Sequence, residues 1–394
     1  MKADLPLPAE DALDHSRTLA GFIRNELESE GGYLPFSRFM ERCLYAPGLG
    51  YYSAGSSKFG AAGDFVTAPE LGPLFATCVA DAVAPVLRGI GSEAVFVEIG
   101  GGSGAFAETM LKRLLEVDAL PARYAILEPS ADLRQRQRQR LGEHLIPPLF
   151  ALVEWLDGPL EERWDGVLFA NEVIDALPTP RFLIRDGEVW EEGVAIDEQQ
   201  GFVRSERPAD ALLTAGVRHV ERYLGQAFAE GYRSELLPQL PYWIQAVMGA
   251  MNDGVMLFVD YGYPRKEYYL PQRDDGTLRA FYRQRTHNDV YLWPGLQDIT
   301  ASVDFTALAE AGTQAGFELA GYTNQASFLL GNGLQQRLQE VELRASETAQ
   351  LRFRNEARQL TLPSEMGERF QVMGFARGVE FEAPFLLNEM SWRL

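Results

Sequence analysis

The stretch Ala94-Val-Phe-Val-Glu-Ile-Gly-Gly-Gly-Ser-Gly104 decides how this chain is read. Val95 to Ile99 is a short apolar, β-branched run, the signature of a buried parallel strand. Gly100, Gly102 and Gly104 follow as a turn, and Ala105 to about Val117 continues as an amphipathic helix with Phe106, Met110, Leu111, Leu114 and Leu115 on one face. A strand, a glycine turn and a helix in this order present backbone N–H groups to a nucleotide in open α/β sheets. The pattern E-x-G-x-G-x-G differs from the dinucleotide pattern G-x-G-x-x-G, whose third glycine falls one place later. Glu98 sits at the strand end, where an acid bonds an amino group and repels a pyrophosphate. A tight βα turn without a ligand also accounts for the glycines alone.

Outward from the turn, Tyr124-Ala-Ile-Leu-Glu128 reads as the next strand, again ending in an acid. Glu128 is placed to take both ribose hydroxyls of a nucleoside. Two acids flanking a glycine turn suit S-adenosylmethionine (SAM), which carries ribose hydroxyls, an amino-acid tail and a sulfonium but no phosphate. Leu149 to Val153 reads as a third strand, with Trp155 just past its end; there Trp155 either covers an adenine or anchors the core. Asp165 to Ala170 reads as a fourth strand, running into Asn171-Glu-Val-Ile-Asp-Ala-Leu-Pro178. Polar residues at the carboxyl end of a parallel strand are where such sheets place their chemistry. Val255 to Val259 reads as a fifth strand, and Phe317–Tyr322 and Arg369–Ala376 as closing strands. These segments predict an α/β fold.

The chain has 394 residues, 46% of them hydrophobic and 23% charged, enough for a large core in one enlarged domain or two. A net charge of -20 argues against an electrostatic grip on nucleic acid and is compatible with a basic partner. Arg134, Arg136, Arg138 and Arg140 do not change that reading. On a helix they split into two i,i+4 pairs and predict a solvated surface. The two cysteines and four scattered histidines provide neither a disulfide framework nor a metal-ligand pair. No run approaches membrane-spanning length, and Asp4, Glu10, Asp11 and Asp14 leave no apolar leader segment near the N-terminus. The expectation is a reduced, cytoplasmic protein without metal, membrane or nucleic-acid partner.

Residues 1–90 read as a helical arm and lid belonging to the same domain, and residues 91–394 as the sheet core. A hairpin and helical insertion spans about 179–250, where Arg181 to Val203 alternates around Asp186-Gly187. Gly50 to Glu70 is a long glycine- and aromatic-rich segment, read as a lid whose Asp64 and Thr67 face the methyl donor and whose Pro69 fixes the entry to the next helix.

These blocks together resemble the MidA family of SAM-dependent methyltransferases, which includes the mitochondrial complex I assembly-factor methyltransferases. The resemblance rests on Gly50-Tyr-Tyr52, Gly63-Asp-Phe-Val-Thr-Ala-Pro-Glu70, Glu98 to Gly104, Asn171 to Pro178, Asp260-Tyr-Gly262 and Pro294 to Phe305. Gly101 departs from it, since relatives commonly carry proline there. The resemblance implies the class I methyltransferase fold, a seven-stranded mixed, Rossmann-like sheet with helices on both faces. It also implies SAM as cofactor and methylation of a protein arginine. The cofactor set is then Asp64, Thr67, Pro69, Glu98, Gly100, Gly102, Gly104, Glu128, Trp155 and Asn171.

A guanidinium is a poor nucleophile, because its lone pairs are delocalised and it stays protonated. A pair of carboxylates gripping its N–H groups localises charge on the far nitrogens and aims one at the methyl. Glu172 and Asp175 follow the fourth strand and are the candidates for that role. The alternative is that they bond backbone N–H groups of their own loop. His287, on the second long loop, is a candidate proton acceptor or substrate contact. Two other functions compete: a non-catalytic assembly or scaffolding protein that binds SAM on the same fold, and a nicotinamide-dependent oxidoreductase. The spacing of the glycines disfavours the last.

Overall fold

The computed structural model describes residues 5–54, 67–199 and 201–394. It divides into two units, each assembled from three separate stretches of chain: residues 1–65, 174–239 and 263–304 in one, residues 66–173, 240–262 and 305–394 in the other.

The second unit holds the sheet. Its strands are Val95–Ile99 (β1), Arg123–Leu127 (β2), Val153–Leu156 (β3), Trp164–Asn171 (β4), Met251–Tyr263 (β5), Glu318–Asn324 (β6) and Phe370–Arg377 (β7). They run in the order β3-β2-β1-β4-β5-β7-β6. Neighbours β3 to β5 pair in parallel, while β7 is antiparallel to both β5 and β6. The order reverses between β1 and β4, the switch point at which open α/β sheets bind their ligands.

The β1 to β5 strands are apolar almost throughout because helices cover both faces. On one face lie Leu74–Ile90 (α1), Ala105–Glu116 (α2) and Ala131–His144 (α3). There Phe96 stacks on Tyr124 at 4.9 Å and Phe106 on Phe169 at 4.3 Å, all within a continuous buried cluster. Each such ring removed from water contributes about 2–3 kcal/mol. On the other face Leu240–Met248 (α4) brings Trp243 to 6.4 Å from Phe258. Beside it, Phe305–Gln314 (α5) lies flush on Phe375, where a Cβ on Gly312 would overlap the ring.

One strand differs from its expected place. Pro147 and Pro148 start a short helix, Pro147–Phe150, so the strand begins at Val153 and Trp155 lies inside it, paired with Ile126.

In the first unit, the helices Glu10–Ser29 and Phe36–Tyr45 pack on a core with Phe36, Phe39, Tyr51, Val194 and Ile299. Strands Arg181–Arg185 and Glu188–Ile196 form the hairpin expected at Asp186-Gly187. Both turn residues have positive φ, at 53° and 74°, as a type I′ turn requires. A second, three-stranded sheet joins Arg279–Tyr282 to Arg285–His287 and to Asp298–Thr300.

Candidate active site

The glycine turn leaves β1 at the switch point and enters α2. Gly100, Gly102 and Gly104 all have left-handed φ, at 71°, 51° and 84°, and Gly104 caps the helix. A side chain on Gly100 would also press on Val173, 3.0 Å from its Cβ position. Glycine is what lets the backbone turn here and leaves its surface open.

Glu98, at the end of β1, is buried and accepts a 2.7 Å hydrogen bond from the Tyr124 hydroxyl. Burial pushes its carboxyl up to about 7; the Tyr124 bond opposes this and the nearby Glu128 charge adds to it. Glu128, just past β2, is equally buried and accepts from the backbone N–H of Ser130 at 2.9 Å.

The residue that joins these pieces escaped the sequence reading. Gln137, fully buried on α3, donates from Nε2 to the Gly102 carbonyl at 2.9 Å and lies 3.4 Å from Glu128 Oε2. Its Oε1 accepts from the Trp155 indole at 2.9 Å. Gly101 lies against the same amide, with its Cβ position 3.0 Å from Gln137 Nε2 and 2.8 Å from Ile126 Cγ2, so a side chain there would have to displace one of those two side chains.

Arg138 is exposed and Arg136 and Arg140 are half-exposed, as a solvated helix surface requires, but the arginines around Gln137 also bond neighbouring elements. Arg134 donates to the backbone oxygens of Glu128 and Leu156 and to Asp157, tying the ends of β2 and β3 together. Arg138 covers the Trp155 ring at 4.6 Å, and Arg140 bonds Glu108 and reaches Ser103. Only Arg136 pairs locally, with Asp132 on its own helix. The i,i+4 pairing was right, but long polar side chains on both sides of the buried Gln137 stripe find strand ends and turn atoms within reach.

The segment before α1 also meets the turn. Pro69 opens the short helix Ala68–Leu71, preceded by Thr67, and Glu70 of this helix is hydrogen-bonded by the Ser103 hydroxyl of the glycine turn. Thr67 and Pro69 therefore stand beside the turn's element in the same unit. Asp64 lies outside the described residues.

At the end of β4, Asn171 donates to Glu172 Oε1 at 3.1 Å, and its own Oδ1 is buried without a hydrogen-bond partner among the described residues. Glu172 has φ of 51°, left-handed and costly for a side-chain-bearing residue, and its N–H bonds the Val259 carbonyl at 2.9 Å. Asp175 belongs to the first unit. It is buried, and its backbone oxygen accepts from Ala301. Tyr52 in that unit donates to Asp298 at 2.9 Å and stacks on Tyr45. Burial raises the Tyr52 pKa well above its usual value, and the charges of Asp298 and Asp175 add to the shift. His287 is buried opposite Ala280 on a strand edge, and burial lowers its pKa, partly offset by Asp289 and Gln297. The neutral imidazole is favoured.

Among the described residues no group of acids, histidines and cysteines is arranged to hold a metal ion, and no helix is long and apolar enough to cross a membrane.

A sheet in this order, with an acidic strand end, a left-handed glycine turn and a second acid at the next strand, suits a SAM-dependent methyltransferase. The comparisons with known proteins agree. Residues 78–323 match the model of the family described as putative S-adenosyl-L-methionine-dependent methyltransferases, and the chain belongs to that family. It is 42% identical to a protein of Burkholderia thailandensis solved with S-adenosyl-homocysteine bound, with a TM-score of 0.91 over 99% of this chain and 100% of that one. It is 28% identical to the protein arginine methyltransferase NDUFAF7 homolog, mitochondrial, of Drosophila melanogaster, over 92% of this chain and 85% of that protein. It is also 28% identical to protein arginine methyltransferase NDUFAF7, mitochondrial, of Danio rerio, over 86% and 82%.

The chain is thus a SAM-dependent methyltransferase of the α/β class, as the MidA resemblance implied. The cytoplasmic expectation is overturned by these relatives, which are named as mitochondrial proteins. Negative charge and sparse cysteine are common to every reducing compartment, so composition had no power to choose among them.

Proposed function

We propose that this enzyme transfers the methyl group of SAM to the guanidinium of an arginine in a protein. The observation that carries the reading is Glu172: an acid at the carboxyl end of a central strand, held in a left-handed backbone conformation and hydrogen-bonded by Asn171. Strain of this kind persists where the surroundings over-determine it, typically at functional sites. Further support comes from the relatives, named as protein arginine methyltransferases and aligned along most of the chain.

Bound SAM supplies an electrophilic methyl group on a sulfonium. In the proposed site the open backbone of Gly100 to Gly104 takes its amino-acid end beside Glu98, and Glu128 takes its ribose hydroxyls. Trp155 lies toward the adenine and Thr67 and Pro69 close the approach, with Asp64 assigned there from the sequence alone. Glu172 accepts N–H bonds from the guanidinium, with Asp175 assigned beside it from the sequence alone. They hold its positive charge away from the attacking nitrogen and align that nitrogen for in-line transfer. From the sequence alone, His287 is the candidate to take the released proton or to touch the substrate. The protein partner is expected to present its arginine in a basic segment, given the net charge of -20.

The test is incubation of the purified enzyme and tritiated SAM with proteins from a strain lacking it, followed by acid hydrolysis and amino-acid analysis. Label in methylarginine is the expected result. Label confined to another amino acid would overturn the arginine assignment.

A further inference from the structure

Helix α3 carries its inward stripe at Leu133, Gln137 and Leu141, spaced i, i+4, i+8. The middle position is a fully buried carboxamide between two leucines. Burying an amide is costly unless its hydrogen bonds are made. Here both ends of it are engaged: Nε2 faces the Gly102 oxygen and Glu128 Oε2, and Oε1 faces the Trp155 N–H. The partners also decide which way the amide points. Flipping it would set N–H against N–H at Trp155 and oxygen against oxygen at Gly102 and Glu128. A leucine or methionine would fill the stripe without any of this, so packing alone does not explain the residue.

We propose that Gln137 is the positioning residue for the nucleoside end of the SAM site. It holds the glycine turn through Gly102, the carboxylate through Glu128 and the indole through Trp155, and so sets the geometry in which Glu128 meets the ribose hydroxyls. This rests on the reading that Glu128 binds those hydroxyls.

The experiment is calorimetry on the full chain with S-adenosylhomocysteine and with its 2′-deoxy analogue, whose affinity ratio reports the grip on the ribose. The ratio for the wild type is expected to be at least about tenfold, as for a charge-assisted hydrogen bond. Gln137→Met keeps the volume and the helix but removes the hydrogen bonds, and should shrink the ratio to about threefold or less. Gln137→Glu keeps the shape, loses the N–H donors and adds a charge beside Glu128. It should shrink the ratio near neutral pH and regain part of it on acidification, when the introduced carboxyl is protonated and can donate. Glu128→Ala is measured in parallel.

A ratio that collapses in Glu128→Ala but stays at the wild-type value in both Gln137 variants overturns the proposal and leaves the ribose reading standing. The same holds if those variants only melt at lower temperature. A ratio unchanged in Glu128→Ala overturns the ribose reading, and the role of Gln137 falls with it.

Discussion

In the proposed site, Glu98 is the buried side chain that ties cofactor binding to pH. Its carboxyl, pushed up to about 7 by burial, is largely protonated in the free enzyme below neutrality. In the proposed site the ammonium of SAM lies beside it and favours the charged form, so binding below pH 7 is expected to expel a proton. Affinity for SAM should therefore rise with pH up to about neutrality and then level off. Titration calorimetry in buffers of different ionisation enthalpy would detect the released proton. The same shift acts on stability with the opposite sense. Between the ordinary carboxyl value and about 7 the folded chain holds a proton that the unfolded chain has lost, so stability falls as pH rises through that window. Glu98→Gln should flatten both dependences, and a variant that keeps the wild-type pH profile for SAM would remove Glu98 from that role.

Glu172 calls for a different measurement. Glu172→Gln retains shape while replacing one acceptor oxygen by a donor; a charged hydrogen bond is worth roughly 1.5–3 kcal/mol. Turnover should drop by about ten- to a thousandfold, with SAM affinity and melting temperature nearly unchanged. Loss of melting temperature with full activity in the remaining folded enzyme would mean that the carboxylate serves its loop instead.

Among the elements, α1 depends on another helix for its start. Its N-cap is Pro73, which offers no side-chain acceptor, and Glu356 from the helix Glu347–Thr361 accepts from the Leu74 N–H at 2.6 Å. Burial raises the Glu356 carboxyl to about 7, opposed by that N–H bond. Gly72 passes directly over this carboxylate, and a Cβ there would overlap it. Glu356→Ala removes a cap, worth about 1–2 kcal/mol, and leaves the helix end buried without an acceptor. The expected result is a lower melting temperature in thermal unfolding with little change in the SAM dissociation constant. A stability equal to wild type would show that water or a rearranged loop satisfies the helix end. Helix α3 works in the reverse direction: its polar side chains supply the partners, Arg134 for two strand ends, Arg140 for the turn.

At the level of the whole molecule, the first unit keeps a buried ionic centre. Arg181, almost inaccessible, meets Glu192 at 2.8 Å, Asp275 at 3.0 Å and Glu235 at 3.2 Å, and Glu192 also meets Arg204. Burial alone would lower the Arg181 pKa, but the charges of Glu235, Glu192 and Asp275 outweigh it and raise it. Arg181→Met leaves two buried carboxylates without their main cation, a loss of about 3–5 kcal/mol. The described candidate SAM residues belong to the second unit. SAM affinity measured well below the melting transition should therefore be preserved while thermal stability falls sharply. An unchanged melting temperature would mean that the neighbouring cations Arg204 and Arg233 compensate for its loss.

The central strands, the glycine turn, the acids at two strand ends and the hairpin at Asp186-Gly187 were legible in sequence because each is decided within a few residues. A strand period, a left-handed backbone position and a strand-end carboxylate are local properties. Family membership was legible for the same reason, in short blocks whose spacing survives. The place of the third strand was misjudged because Pro147-Pro148 could equally end a loop or begin a helix. Gln137 was hidden in a run of glutamines and arginines, since its importance comes from Gly102, Glu128 and Trp155, which lie on three other elements. The roles of Arg134, Glu70 and Glu356 were hidden likewise. A polar side chain far along the chain becomes a necessary hydrogen-bond partner only when folding removes the water that would otherwise have served. That choice belongs to the tertiary structure, because burial is a property of the packed whole and hydrogen-bond geometry follows from it.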